Sequence, residues 1–396
     1  MPHAIPIATA TATALCGSHP VFPTVVARIR GVLPHLHGLP RLLERAASSH
    51  SLLPCQPKSD PMMKSSFSRR LHRAARGLLL SAAAFGLLQG GAFAADKVTF
   101  LTSWYAQAEH GGFYQAVAKG IYQKHGLEVS IRMGGPQVNG MQLLTSGQAD
   151  FLMGYDLQVL KSIEQGLPVT TVATSFQTDL QGMMTHADVK GLADLKNGKT
   201  VLVSTSGRTT WWPWLKAKYG LTESQSRPYT FNLQPFMADV NTAQQAYPSS
   251  ELFQALKANV KTNFYLFAND GYPPYGTTIV TMDKTVKDRP DVVARFVRAS
   301  MEGWKSYLAD PAPANALIRQ DNPNMKDDQL AYAMDRLKEF NFVGGGDAAK
   351  GGIGIMTEAR WKKTADFMVG AGLLKPETDW RKAFTTQFVK DLKVMP

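Results

Sequence analysis

Beyond residue 95 this 396-residue chain has no cysteine, since Cys16 and Cys55 are its only two. The main body therefore excludes disulfides, thiolate metal sites and cysteine nucleophiles. Histidine is scarce there as well, with only His110, His125 and His186. Charge of one sign is also missing. The formal net charge of +12 looks like that of a polyanion binder, but residues 1–95 hold ten Lys and Arg against only Glu44 and Asp60. The remainder has 33 basic and 29 acidic residues. So small a balance leaves no electrostatic footprint for nucleic acid, and no nucleic-acid partner is expected. No repeat or low-complexity segment appears after residue 95. With 44% apolar and 19% charged residues, the composition is that of an ordinary globular protein with room for two or three domains.

The first 95 residues read as a leader. Residues 1–61 are rich in Pro, Ala, His and Ser and show no sustained period of 2 or 3.6, which marks an over-extended or unstructured start before Met62 or Met63. Residues 62–94 have the order of a secretory signal. Lys64, Arg69, Arg70, Arg73 and Arg76 form a basic segment, Leu78 to Leu88 an apolar one, and Ala92-Phe93-Ala94 a small-x-small cleavage site. The apolar stretch falls short of the roughly 20 residues that span a bilayer, so cleavage near Ala94 is expected rather than anchoring. Arg69-Arg70 leaves the twin-arginine and general export routes both open. A membrane-tethered sensor is the reading that an uncleaved leader would support.

From Asp96 onward strand and helix signals alternate. Lys97 to Thr102 reads as a buried strand and Phe113 to His125 as a helix closed by Gly126. Leu127, Val129, Ile131 and Met133 alternate at period 2, which predicts a strand over 127–133. A helix over 140–146, a strand at 149–154, a helix to Gln165 and a strand at 169–174 continue the rhythm. A second series starts at Lys199 and runs through Val240 and Phe264–Phe267. Such alternation predicts α/β lobes with parallel sheets between helices. After Thr281 long helices take over. Val293, Phe296, Val297, Ser300, Met301, Trp304 and Leu308 share one helical face behind Pro290, and further helices are expected at 327–340 and 357–371.

Several phrases in this body resemble, in their order, periplasmic substrate-binding proteins of ABC importers. The family in question contains thiamine-pyrimidine-precursor binders and nitrate, taurine and sulfonate binders. The similar stretches are Trp104-Tyr105, His110-Gly111-Gly112-Phe113-Tyr114, Lys119-Gly120-Ile121-Tyr122, His125 to Val129, Ser146 to Phe151, Gln165 to Val169, Asp194 to Val201 and Arg289 to Val293. The resemblance implies a bilobed, type II-like periplasmic-binding-protein fold, two α/β lobes joined by two crossover segments. Lobe 1 would be 96–183 plus 278–396, and lobe 2 would be 184–277. It also implies a monomeric periplasmic receptor that hands a small-molecule solute to an ABC permease in the inner membrane, without a cofactor, a metal or catalysis. Known enzymes on this scaffold use cysteines that the main body lacks. A Glu109–His110 acid–base pair is the remaining route to a pyrimidine-processing enzyme.

In open α/β sheets ligands sit beyond the carboxyl ends of strands, and three such ends carry unusual residues. The first is Trp104, Tyr105, Glu109, His110 and Gly111, where His110 matches the family's loop histidine. The second is Tyr155 and Asp156. The third is Ser204, Thr205, Ser206, Thr209 and Trp211. Trp211 and Trp212 point about 100° apart on a helix, so both cannot face a cleft; Trp211, nearer the strand end, is the one expected there. Tyr247 and Glu251 are expected near the second lobe's strand ends, and Tyr272 to Tyr275 near those ends or the hinge. Aromatic walls with acids favour a flat heteroaromatic such as an aminopyrimidine, its amine hydrogen-bonded to Glu109, Asp156 or Glu251. The run Ser204 to Arg208 supports the alternative, a sulfonate, taurine or nitrate site. Gly198-Lys199-Thr200 lacks the upstream glycine of a phosphate loop and precedes a strand, which excludes ATP binding there.

Overall fold

A computed structural model describes residues 94–396, so the expectations for the leader and its cleavage lie outside the described residues. Apolar runs of four to eight residues become strands buried on both faces, as in Phe151–Gly154 and Val169–Phe176. The first series is β1 (Asp96–Leu101), α1 (Gly111–Ala118), α2 (Ile121–Lys124), β2 (Leu127–Arg132), α3 (Gly140–Thr145), β3 (Phe151–Gly154), α4 (Asp156–Glu164) and β4 (Val169–Phe176). The chain then enters a second sheet. This contains β5 (Gly182–His186), β6 (Thr200–Val203), α5 (Thr205–Thr209), α6 (Trp211–Tyr219), β7 (Ser226–Pro228), β8 (Thr242–Ala246), α7 (Glu251–Lys257) and β9 (Thr262–Leu266). It returns through β10 (Gly276–Met282) and closes with long helices, among them α8 (Pro290–Ala309), α9 (Asp327–Glu339) and α10 (Glu358–Gly370). The helix expected over 113–125 is split because Gly120 takes φ 64°, a left-handed value that ends α1 and starts α2.

The strand orders are β2-β1-β3-β10-β4 and β7-β6-β8-β5-β9, two α/β lobes joined by the segments that leave β4 and enter β10. The sheets are mixed, which corrects the expectation of parallel ones. β1 pairs parallel with β2 and β3, but β10 runs antiparallel to β3 and β4, and β5 antiparallel to β8 and β9. A strand entering from the other sheet arrives at the opposite end and so runs in reverse. The expected divisions after 183 and 277 fall inside β5 and β10, since each strand is hydrogen-bonded along its whole length to one sheet.

α8 packs its apolar face on the first sheet. Phe296 stacks on Phe151 with ring centroids 4.2 Å apart, and Trp304 meets Phe176 edge-on at 5.1 Å. The contact of α1 with α8 depends on small residues. A Cβ on Gly303 would lie 2.2 Å from the Gly112 carbonyl oxygen, and one on Gly112 would lie 2.2 Å from the Trp304 ring. This close seat fixes the start of α1 and the turn before it, which carries Glu109 and His110. Among the described residues no helix is long and apolar enough to cross a membrane.

Candidate functional site

The ends of β1, β3 and β8 and the segment entering β10 converge on a cavity between the two sheets. It is small, about 20 Å³ in volume. Seven of the expected residues line it: Trp104, Glu109, His110, Tyr155, Ser206, Tyr247 and Glu251. Glu109 and His110 sit on a single turn, Ala108–His110, immediately before α1. Glu251 opens α7, where its carboxylate accepts the Tyr247 backbone N–H at 2.9 Å and the Tyr229 hydroxyl at 2.7 Å. Across the gap, Ser249 donates to Glu109.

Other expected residues lie elsewhere. Trp211 does not line the cleft; it is buried against Phe267 at 5.3 Å. The helix breaks at Thr210 (φ −119°, ψ −96°), which rotates the tryptophans away from the strand end. Ser204 is a buried cap whose hydroxyl accepts from the Gly207 N–H. Asp156 is buried behind the wall and accepts the Tyr275 N–H at 2.8 Å. Gly111 faces Tyr307, where an added Cβ would lie 2.1 Å from the ring, so it serves packing. Tyr105 packs near Gly135 and Phe231. Thr205 and Thr209 line a neighbouring crevice rather than the cavity.

Sequence reasoning missed Ser103, Gln107, Gln181, Gln245, Ala246 and Thr277 in the lining. Gln244-Gln245 sits in a strand whose five residues are all buried, which only the fold reveals. Paired amides in such a strand ask for partners. Thr277 carries φ 49°, an outlying value for a β-branched residue, and backbone strain of this kind gathers at ligand sites.

The cavity's electrostatics are one-sided. Its lining has two carboxylates and no Lys or Arg. Burial pushes the Glu109 carboxyl up to about 7, against the pull of the Ser249 hydrogen bond, and Glu251 nearby adds to the rise. Glu251 is raised by burial too. Burial lowers His110 to about 3, so its ring is neutral. Behind the wall, burial raises Asp156 to about 8, opposed by the Tyr275 N–H and the Arg360 charge, and raises Asp179 to about 7. Gln107 Oε1, His110 Nδ1 and Thr277 Oγ1 are buried at this cavity with no partner among the described residues. A buried polar atom left unpaired is costly, and a polar ligand is the natural partner: Gln107 Oε1 accepts, while the Thr277 hydroxyl and a neutral imidazole nitrogen can donate or accept.

These raised carboxyls set a pH dependence. A carboxyl whose folded pKa lies above its unfolded one binds more protons when folded, so stability falls as pH rises through that window. Glu109, Asp156 and Asp179 all act this way between about pH 4 and 8. His110 acts in the opposite sense below its ordinary value but is one group against three. The melting temperature is expected to fall by roughly 5–10 °C from pH 5 to pH 8.5. Differential scanning calorimetry across that range checks this; a flat or rising profile contradicts it.

The rims of the cavity hold the lobes together. Trp104 stacks on Tyr229 with centroids 5.8 Å apart and an interplanar angle of 15°, and Phe231 meets Trp104 edge-on at 5.9 Å. Beside them Gln137 donates to the Tyr229 carbonyl at 3.0 Å, and the Thr205 N–H donates to the Pro136 carbonyl at 3.0 Å. On another contact between the lobes, Lys257 pairs with Asp328 at 2.8 Å and Phe253 packs on Tyr332 at 5.3 Å.

Comparison with known proteins places this geometry. The chain is 28% identical over 306 residues to a riboflavin-binding protein, RibY, of Chloroflexus aurantiacus, covering 74% of this chain and 86% of that one. It is 24% identical to a formylaminopyrimidine-binding protein of Halalkalibacterium halodurans, covering 65% of this chain and 82% of the relative. It is 23% identical to a 4-amino-5-hydroxymethyl-2-methylpyrimidine phosphate synthase of Uromyces fabae, covering 74% and 88%. The crystal structure of the periplasmic aliphatic sulphonate binding protein SsuA of Escherichia coli superposes with a TM-score of 0.55. Identity is 13%, with 74% of this chain and 92% of that chain covered. The fold is therefore that of the periplasmic binding proteins. The model of the family described as NMT1/THI5 like matches residues 107–314, more than half of the chain, and the protein belongs to that family.

Proposed function

We propose that this protein is the extracytoplasmic solute receptor of an ABC uptake system. In this reading it takes a small, flat, amine-bearing heteroaromatic of the aminopyrimidine kind between its lobes and delivers it, chemically unchanged, to a membrane permease. The receptor works as a periplasmic monomer freed of its leader near Ala94. The two lobes, divided before β5 and before β10 rather than after 183 and 277, part and close about the two crossing segments.

The observation that carries the reading is the lining of the cavity. Two raised carboxylates, a neutral histidine and unpaired amide and hydroxyl oxygens meet with no cationic side chain. Ring amines would donate to Glu109 and Glu251, while Trp104 and Tyr247 offer aromatic faces. An anion would be desolvated against two carboxylates with no cation to pair it. Arg208, the cation of the alternative anion site, is held away by Glu223 at 2.8 Å and Ser226 at 3.0 Å. The names of two relatives, a riboflavin binder and a formylaminopyrimidine binder, agree with a nitrogen heterocycle.

An enzymatic role draws support from the synthase relative. Here, however, the Glu109 carboxylate bonds Ser249, and His110 Nδ1 has no partner among the described residues. Glu109 is thus engaged with Ser249 rather than with His110.

Isothermal titration of the purified protein with aminopyrimidines, flavins, taurine and nitrate tests the proposal. One amine-bearing or imide-bearing heterocycle is expected to bind in the micromolar range or tighter. Preference for taurine or nitrate, or silence from the whole panel, overturns it.

A further inference from the structure

As the lobes stand, the cavity is too small for a ring. Its volume is about 20 Å³, whereas a cavity of about 150 Å³ is what takes in benzene. Part of the wall must therefore move. Most of it is fixed: β8, which carries Gln245 and Ala246, is hydrogen-bonded on both sides, and the α1–α8 seat holds the turn with Glu109 and His110. The segment 229–233, between β7 and the short helix Gln234–Ala238, is different. Among the described residues, the backbone N–H groups of Thr230 to Leu233 bond no backbone carbonyl. Phe231 in its middle takes φ 59°, a strained value for an aromatic residue.

This segment begins with Tyr229, which already plays both parts assigned to the solute. Its ring lies nearly parallel to the Trp104 indole, and its hydroxyl donates to the Glu251 carboxylate at 2.7 Å. Trp104 and Glu251 both line the cavity, and Tyr229 is buried beside them. Burial and the Glu251 charge push the hydroxyl well above its ordinary value, so it stays a donor. The Gln137 amide, from the other lobe, fixes the Tyr229 carbonyl.

We infer that Tyr229 is an internal stand-in for the solute: the incoming ring takes its place on Trp104 and at Glu251, and segment 229–233 moves aside to make room. This rests on the proposed reading of the cavity as a ring site. The exchange also selects. A ring that brings a donor replaces the hydrogen bond it breaks, whereas a ring without one leaves a buried carboxylate unpaired. Tyr229 thus sets specificity by competition.

Tyr229→Phe tests this, since it keeps the ring and removes the donor. Titration calorimetry of the purified protein uses cytosine, 4-aminopyrimidine and lumichrome. At least one of them is expected to bind Y229F about tenfold more tightly than the parent, because the ligand relieves an acceptor left unpaired. The melting temperature of Y229F without a ring is expected to fall. A purely structural tyrosine would lower stability and affinity together. Phe231→Gly accepts φ 59° without strain and frees the segment, so association followed by stopped-flow tryptophan fluorescence is expected to be severalfold faster. Parent-like or weaker binding by Y229F overturns the stand-in and leaves the ring reading standing. Should Y229F not fold, an unchanged association rate in F231G does the same. Silence of the parent and both variants toward all three rings overturns both.

Discussion

Replacing Glu109 by Gln is expected to weaken solute binding by about 10- to 100-fold while leaving the fold as stable or more so. The carboxylate is buried, faces the cavity, and keeps one oxygen engaged with Ser249. A hydrogen bond from a ligand amine to a charged acceptor contributes about 1.5–3 kcal/mol, and each 1.4 kcal/mol is tenfold in affinity. Gln preserves the shape and can still accept from Ser249, so the loss falls on the ligand's donor. The stability change has the opposite sign because burial already works against the ionised form, pushing its pKa up to about 7. E109Q is therefore expected to melt higher than the parent at pH 8, where the parent carries the buried charge, and nearly level with it at pH 5. Calorimetric titration and melting of the same sample separate the two effects. Parent-like affinity for the bound heterocycle would remove Glu109 from the site.

The largest loss of stability is expected from Gly303→Ala, a single methyl group where α1 crosses α8. The added carbon would lie 2.2 Å from the Gly112 carbonyl oxygen and 2.8 Å from the Ala116 Cβ. Backbone cannot step aside as a side chain can, so the helices must separate by more than an ångström, unseating Trp304 from Phe113 and Phe176. Overpacking of this kind costs about 1–3 kcal/mol and occasionally more, against roughly 1 kcal/mol regained from helix propensity. The melting temperature should drop by about 2–6 °C. Gly370→Ala is the control, since nothing lies within 4 Å of its added carbon, and it should be neutral or slightly stabilising. Equal melting of the two variants would mean that the α1–α8 contact is looser than described.

The alternation of strands and helices was legible because each element carries its own local pattern. The period-2 run at 127–133 became Leu127–Arg132, and the helical face behind Pro290 became Pro290–Ala309. Strand direction was not legible. Nothing local to Gly276–Met282 says that it slots between two strands more than a hundred residues earlier, running the other way. The acids and aromatics of the cavity could be named because Glu109, Tyr155, Tyr247 and Glu251 stand at strand ends next to helices. Trp211 failed for a conformational reason: helical spacing assumes one continuous helix, and the break at Thr210 invalidates the angle. Gln107, Gln181 and Gln245 went unnamed because glutamine is usually a solvent residue, and only the tertiary fold turns these three inward.

The indole of Trp104 and the phenol of Tyr229, stacked face to face beneath Phe231, have a consequence for the protein when it carries no cargo. Three broad ring surfaces left facing water would form an adhesive patch, able to pick up stray greasy compounds or a second molecule of the same kind. By covering one another they keep those ring faces from water. A molecule that enters between them must displace a contact the protein already makes to itself.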